Sequence, residues 1–186
     1  MIRRVVVALL AVCALSLVLQ AQGAAPVSLT FVHINDVYEI DTLAGGREAG
    51  LARVATVIDR QRARGPVLAT LGGDFLSPSP AGMAIVDGKA VAGRHMVDVL
   101  NAMGLQWATL GNHEFDLKAD VYDETMAAAK FKVVISNVAD KVHPISHTVP
   151  YAIVPVKIGS RTVRVGLIGV MLDPRRPEVQ FTDPIQ

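Results

Sequence analysis

Short apolar runs that alternate with helix-like stretches are the feature that most constrains the fold of this 186-residue chain. The apolar runs have the length of buried strands, and turn-forming or polar residues follow them. They cover residues 28–34, 67–71, 106–110 and 131–136. The stretches between them space their apolar side chains as amphipathic helices do. These stretches cover residues 49–63, 93–103 and 117–130. The alternation predicts an α/β protein with a layered sheet flanked by helices.

Two further strand-like runs follow at residues 151–158 and 162–170. The link between them is Gly159, Ser160 and Arg161, which suits a tight turn. This arrangement predicts a β-hairpin at one edge of the sheet.

Polar side chains come directly after the four apolar runs. They are Asp36, Asp74, the pair Asn112 and His113, and Asn137. Because the C-terminal ends of strands in an open α/β sheet lie along one edge, we expect these groups to meet there. Carboxylate, amide and imidazole are ligand types that suit Mn²⁺, Mg²⁺, Fe²⁺ or Zn²⁺. A carboxylate that bridges two ions would make a two-metal site, and such sites hydrolyse phosphate esters.

Each of these residues also has a plainer explanation when it is taken alone. A single Asp after a strand is often a turn former, and Asn112 has the character of a helix N-cap. His33 lies inside the first apolar run, where a hydrogen-bonded structural histidine is expected. His113 precedes Asp116 by three positions, so that carboxylate is placed to orient its imidazole. Polar residues of these types follow all four apolar runs in one order along the chain, and this combination favours a functional site over four separate structural roles.

Composition indicates one globular domain. The chain is 51% hydrophobic and has a formal net charge of +1. Its local basic cluster, Arg60, Arg62 and Arg64, is typical of the solvated face of a helix end. We therefore expect no nucleic-acid partner.

Residues 1–23 have the pattern of a secretory signal peptide. Arg3 and Arg4 form a basic start, an apolar run covers residues 5–19, and small residues precede the expected cleavage near Gly23. The apolar run is shorter than a spanning helix requires, so an uncleaved anchor is the less favoured alternative. Twin-arginine export is a second alternative. We expect a periplasmic or extracellular protein with no stable membrane anchor. Cleavage also removes Cys13, the single cysteine.

Four motifs carry a resemblance to a known family. They are Asn35-Asp36-x-Tyr38, Gly73-Asp74, Gly111-Asn112-His113-Glu114-Phe115-Asp116 and Ser136-Asn137-Val138. In order and approximate spacing the chain resembles the calcineurin-like metallophosphoesterases over residues 28–172. Within them it is similar to the secreted bacterial branch of 5′-nucleotidases and 2′,3′-cyclic phosphodiesterases.

The resemblance implies a role for each site residue. Asp36 would be a ligand of the first metal, Asp74 the bridging ligand and Asn112 a ligand of the second metal. His113 and Asp116 would form the catalytic dyad. The implied cofactors are two divalent ions, with Mn, Mg, Zn, Fe or Ca as candidates. The implied reaction is attack of a metal-bound hydroxide on a phosphate ester, with a nucleotide as the substrate.

The chain departs from the family pattern in two ways. The first motif of the family reads Asp-x-His, but position 38 is Tyr. Either the Tyr38 phenol coordinates weakly, or the first metal has one ligand fewer. The family also completes its site with later histidines, which would lie beyond residue 186. His143 and His147 are poor substitutes, because Pro144 between them disfavours a helix.

Two functional hypotheses follow. The first is a metal-dependent phosphoester hydrolase, in which residues 24–186 form the N-terminal portion of the catalytic domain and the sheet is incomplete at its C-terminal side. The second is a truncated or degenerate chain that binds a metal or phosphate without catalysis.

Overall fold

The computed structural model describes residues 26–138 and 146–173. The signal-peptide prediction for residues 1–23, Cys13 and His143 therefore lie outside the described residues. No helix within the described ranges is long and apolar enough to cross a membrane.

The described chain alternates strands and helices in the predicted order. The helices are α1 (Leu51–Arg62), α2 (Arg94–Ala102), α3 (Ala119–Met126) and a 3-10 helix (Asn112–Asp116). The longer strands are β1 (Thr30–Ile34), β4 (Val67–Leu71), β8 (Lys132–Val134), β10 (Ala152–Ile158) and β11 (Arg161–Leu167). The two-residue strands are β2 (Thr42–Leu43), β3 (Glu48–Ala49), β5 (Ile85–Val86), β6 (Lys89–Ala90), β7 (Trp107–Ala108) and β9 (Thr148–Val149).

Five strands form one parallel sheet in the order β1-β4-β7-β8-β9. The register places Ile34 opposite Leu71, and Leu71 opposite Ala108. Spatial order therefore follows chain order, and the C-terminal ends of β1, β4 and β7 lie side by side. The predicted α/β class is confirmed, and β9 is an addition that sequence patterns did not indicate.

The core lies against β4 and the helices. Four of the five β4 residues are buried, as expected for a strand with neighbours on both sides. Helix α2 buries Met96, Val97 and Leu100, the apolar face predicted from sequence. Gly104 ends this helix with a φ of 68°, and the Leu105 N–H bonds the Leu100 carbonyl at 3.1 Å. This is the Schellman geometry, in which glycine avoids the cost of a left-handed residue.

The predicted hairpin is present, but its position differs from the prediction. Strands β10 and β11 pair antiparallel, with Ile158 opposite Arg161, in a separate two-stranded sheet. The place beside β8 is taken by β9, because Thr148 and Val149 pair in parallel with Val133 and Val134. The hairpin therefore does not extend the edge of the main sheet.

The chain beyond β11 returns to the end of β8, where its backbone hydrogen-bonds the side chain of Asn137. The side-chain amide of Asn137 donates to the Met171 carbonyl at 2.8 Å, and its oxygen accepts from the Met171 N–H at 3.2 Å. The residue is 1% exposed. Sequence reasoning placed Asn137 with the other polar strand ends, but its amide satisfies buried backbone groups instead.

We expect Asn137→Ala to lower the free energy of unfolding by about 2 to 4 kcal/mol, because it leaves two buried backbone groups unpaired. Asn101→Ala is the matched control. Asn101 also bridges backbone groups, bonding the Ala128 carbonyl at 2.8 Å and the Lys130 N–H at 2.7 Å, but these bonds are exposed. Urea denaturation of both variants measures the difference. Equal costs would contradict the structural role assigned to Asn137.

Candidate functional site

Three loops meet at the C-terminal ends of β1, β4 and β7. The Gly72 N–H bonds the Ile34 carbonyl at 2.8 Å, and the Asp36 N–H bonds the Gly73 carbonyl at 3.1 Å. The Thr109 N–H bonds the Leu71 carbonyl at 2.9 Å. The parallel register thus continues past the strands and holds the loops against one another, as expected for the carboxyl edge of an α/β sheet.

Two glycines allow the loops after β4 and β7 to touch. A Cβ on Gly73 would lie 2.3 Å from the Gly111 nitrogen, and a Cβ on Gly111 would lie 2.1 Å from Asp74 Oδ1. Any side chain at either position would displace the neighbouring backbone or the carboxylate. Asp36 and Asp74 have φ values of 53° and 55°, a left-handed conformation that costs a non-glycine residue about 1 to 3 kcal/mol. Strain of this kind clusters at functional sites.

Asp74 lies at the centre of the site and is 9% exposed. Its Oδ1 accepts the His113 backbone N–H at 3.0 Å, and its Oδ2 accepts the Tyr38 hydroxyl at 3.2 Å. Because a carboxylate offers about four acceptor positions, each oxygen keeps a lone pair for a further partner. Burial and the neighbouring Asp74 carboxylate raise the pKa of the Tyr38 hydroxyl. Tyr38 therefore stays a hydrogen-bond donor at neutral pH.

The structure brings His113 and Asp116 together. The two residues belong to the 3-10 helix, and His113 Nδ1 lies 2.7 Å from Asp116 Oδ2. This hydrogen bond raises the pKa of His113 above its ordinary value, and burial opposes the shift. The Tyr38 ring meets the His113 ring edge-on, with 6.3 Å between centroids. The contact predicted between His113 and Asp116 is present, and Nε2 is the ring nitrogen that Asp116 does not engage.

Glu114 is the residue whose importance sequence reasoning missed. It is 2% exposed, and its carboxylate accepts four backbone N–H groups from the two loops. Burial raises the pKa of Glu114 to about 6, while these N–H groups act in the opposite direction. One sequence signal was available: Glu114 stands three residues after Gly111, the spacing at which the glutamate of a capping box accepts the N-cap N–H, and the Gly111 N–H does bond Glu114.

The predicted ligands supply the right kind of donor for a divalent ion, but not a complete set. Asp36 is exposed and accepts the Asn35 amide, and Asn112 begins the 3-10 helix beside Gly111. Two carboxylates and an amide oxygen are donors that hard cations prefer. Within residues 26–138 and 146–173, no three His, Cys, Asp or Glu side chains form a group able to hold a metal ion. The donors therefore fit part of a metal site.

Of the other histidines, His33 lies beside the loop after β4, where its Nε2 would be 3.2 Å from a Cβ on Gly72. His33 Nδ1 is 2.8 Å from Thr70 Oγ1, which links β1 to β4 and confirms the expected structural hydrogen bond. His147 precedes β9 in a turn and has a φ of 65°.

Comparison with known proteins places this fold among phosphoesterases. The chain is 33% identical over 129 residues to the 2′,3′-cyclic-nucleotide 2′-phosphodiesterase/3′-nucleotidase of Yersinia enterocolitica, a match that covers 64% of this chain and 20% of that protein. The crystal structure of the calcineurin-like phosphoesterase YfkN from Bacillus subtilis superposes with a TM-score of 0.68 at 26% identity, covering 86% of this chain and 55% of that one. A 5′-nucleotidase precursor from Thermus thermophilus superposes with a TM-score of 0.62 at 30% identity, covering 84% and 32%.

The fold and these likenesses define the chain as a phosphoesterase-type α/β protein. More particularly, it belongs to the calcineurin-like phosphoesterases, in the branch of 5′-nucleotidases and 2′,3′-cyclic phosphodiesterases, and it matches part of the catalytic domain. No protein-family model matches the chain. It spans about a fifth of the length of the Yersinia protein.

We expect Asp116→Asn to lower the pKa of His113, because the hydrogen bond to the carboxylate is the main cause that raises it. The His113 imidazole would then lose its proton at a lower pH than in the unaltered chain. NMR titration of the ring protons without added metal measures this change. Asp120→Asn is the control, since Asp120 is exposed and bonds the Val121 N–H. An unchanged midpoint in Asp116→Asn would contradict the assignment.

Proposed function

We propose that this chain forms part of a metal-dependent phosphoester hydrolase that acts on nucleotides. The observation that carries the proposal is the convergence of Asp36, Asp74 and His113 at the carboxyl edge of one parallel sheet. Membership of the phosphoesterase family supports it. The names of the relatives, a cyclic-nucleotide phosphodiesterase/3′-nucleotidase and a 5′-nucleotidase precursor, support a nucleotide substrate.

In this proposal Asp36, Asp74 and Asn112 contribute oxygen ligands to two divalent ions, drawn from Mn, Mg, Zn, Fe or Ca. When bound, the ions supply Lewis acidity that neutralises phosphate charge and activates water. Asp74 is suited to the bridging position, because each of its oxygens is oriented by one hydrogen bond and keeps a free lone pair. Outer contacts of this kind orient ligands in metal sites.

His113 acts on the phosphate in this proposal. Asp116 holds Nδ1, which directs the opposite nitrogen, Nε2, away from the carboxylate. The raised pKa of His113 favours the protonated ring, so Nε2 donates a hydrogen bond to a phosphoryl or leaving-group oxygen. The proposal also includes export by residues 1–23 to the periplasm or the extracellular space.

The main test is hydrolysis of a chromogenic phosphate ester, AMP and 2′,3′-cyclic AMP with Mn²⁺. We expect Asp74→Asn to reduce the rate about a hundredfold or more, because it removes the charge of the central ligand. The control is Asp98→Asn, an exposed change on α2. Hydrolysis that is independent of metal, or unaffected by Asp74→Asn, would contradict the proposal.

A second candidate function is weak binding of metal or phosphate without turnover. Two observations favour it: Tyr38 directs its hydroxyl at Asp74 in place of an imidazole, and the described ranges hold no group of three strong metal-ligating side chains. Calorimetry with Mn²⁺ separates the candidates. Two ions bound per chain with micromolar affinity would argue against this second function.

Substitution of Tyr38 gives a further prediction. Tyr38→His would place a nitrogen donor next to Asp74, so we expect Mn²⁺ to bind more tightly, by about tenfold or more. Tyr151→His adds a histidine at an exposed tyrosine before β10 and serves as the control. Equal tightening by both variants would indicate nonspecific binding to the added imidazole.

A further inference from the structure

Glu114 connects the turn after β4 to the loop after β7 through backbone contacts. Its Oε1 accepts the N–H groups of Phe75 at 2.7 Å and Leu76 at 3.0 Å. Its Oε2 accepts those of Asp74 at 2.9 Å and Gly111 at 2.7 Å. Both oxygens are thus fully used inside the protein, and the side chain is 2% exposed.

Three successive N–H groups that point at one anion form a nest. The N–H groups of residues 74–76 form such a nest around Glu114. Nests of this kind commonly receive phosphate or other free anions, but this one is filled by the protein's own carboxylate. Because N–H groups converge only if the backbone turns sharply, the anion stabilises the left-handed conformation of Asp74, with its φ of 55°.

The same carboxylate sets the distance between the two loops. Gly111 is bonded to Glu114, and the His113 N–H reaches back to Asp74 Oδ1 at 3.0 Å. The close approach of Gly73 to Gly111 leaves no room for either loop to shift toward the other. Glu114 therefore contacts the Asp74 backbone from the buried side of the loop, and it does not reach the exposed side of the site.

We propose that Glu114 is the positioning residue of this centre: a built-in anion that holds the Asp74 turn against Gly111 and so aims the Asp74 carboxylate. The part of this inference that concerns metal binding rests on the proposed function. The part that concerns the shape of the turn does not.

The first experiment tests the turn without metal. In Glu114→Gln one oxygen is replaced by an NH₂ group, which cannot accept from the backbone donors. We expect this substitution to speed amide hydrogen exchange in the full chain, with an increase about tenfold greater at residues 74, 75, 76 and 111 than at core amides. The control is Ile58→Ala, a fully buried change in α1 that lowers stability by about 2 to 5 kcal/mol. Exchange that rises uniformly in both variants would overturn the inference.

The second experiment measures Mn²⁺ affinity by calorimetry. We expect Glu114→Gln to bind Mn²⁺ about 10- to 100-fold more weakly than Ile58→Ala. Removing an outer contact of a metal site typically weakens metal binding by this factor. Equal affinities in the two variants would overturn the positioning role. If the unaltered chain binds no Mn²⁺, the proposed function fails, and the exchange pattern alone decides whether Glu114 shapes the turn.

A rescue experiment covers the case in which Glu114→Gln does not fold. Glu114→Ala leaves the four N–H groups facing a small space that formate can enter as a replacement anion. We expect added formate to restore slow exchange at residues 74–76, with chloride at equal ionic strength as the control. Restoration by chloride to the same extent would show a general salt effect and overturn the inference.

Discussion

The parallel pairing of β1, β4 and β7 is the constraint on which the rest of the structure depends. It places Ile34, Leu71 and Ala108 side by side, so the residues that follow each strand leave the sheet at the same edge. Buried strands cannot slip by one residue without turning their apolar side chains the wrong way. Residues separated by tens of positions in the chain therefore meet. Those among them whose side chains can bind metals are held in place by a rigid sheet.

Packing of backbone against backbone then sets the finer geometry. Gly73 and Gly111 let two loops approach more closely than any side chain permits, and Asp36 and Asp74 adopt left-handed conformations that cost free energy. The buried carboxylate of Glu114 compensates by satisfying four N–H groups at once. In the proposed hydrolase, the exposed side of the site carries the chemistry and the buried side maintains its shape.

Much of this was predictable from local patterns. The predicted bounds of β4 match the structure at both ends. The apolar face of α2 and the glycine that ends this helix were also predicted correctly. Burial and helix capping leave recognisable patterns in the sequence. The hydrogen bond between His113 and Asp116 follows from their spacing on one turn. Other features left no such signal. Strand β9 has two residues, and Asn137 resembles a site residue until its bonds to Met171 are known.

The sequence by itself determined the α/β alternation, the polar residues that end the strands and the motifs that mark the family, since these depend on residue type and spacing. Tertiary structure decided which of those residues share a site. It joined Asp74 to Tyr38 and His113, withdrew Asn137 into backbone contacts, and separated the β10–β11 hairpin from the main sheet. It also placed the Glu114 carboxylate against the N–H groups of residues 74–76, which are distant in the chain, and these contacts exist only because the two loops meet.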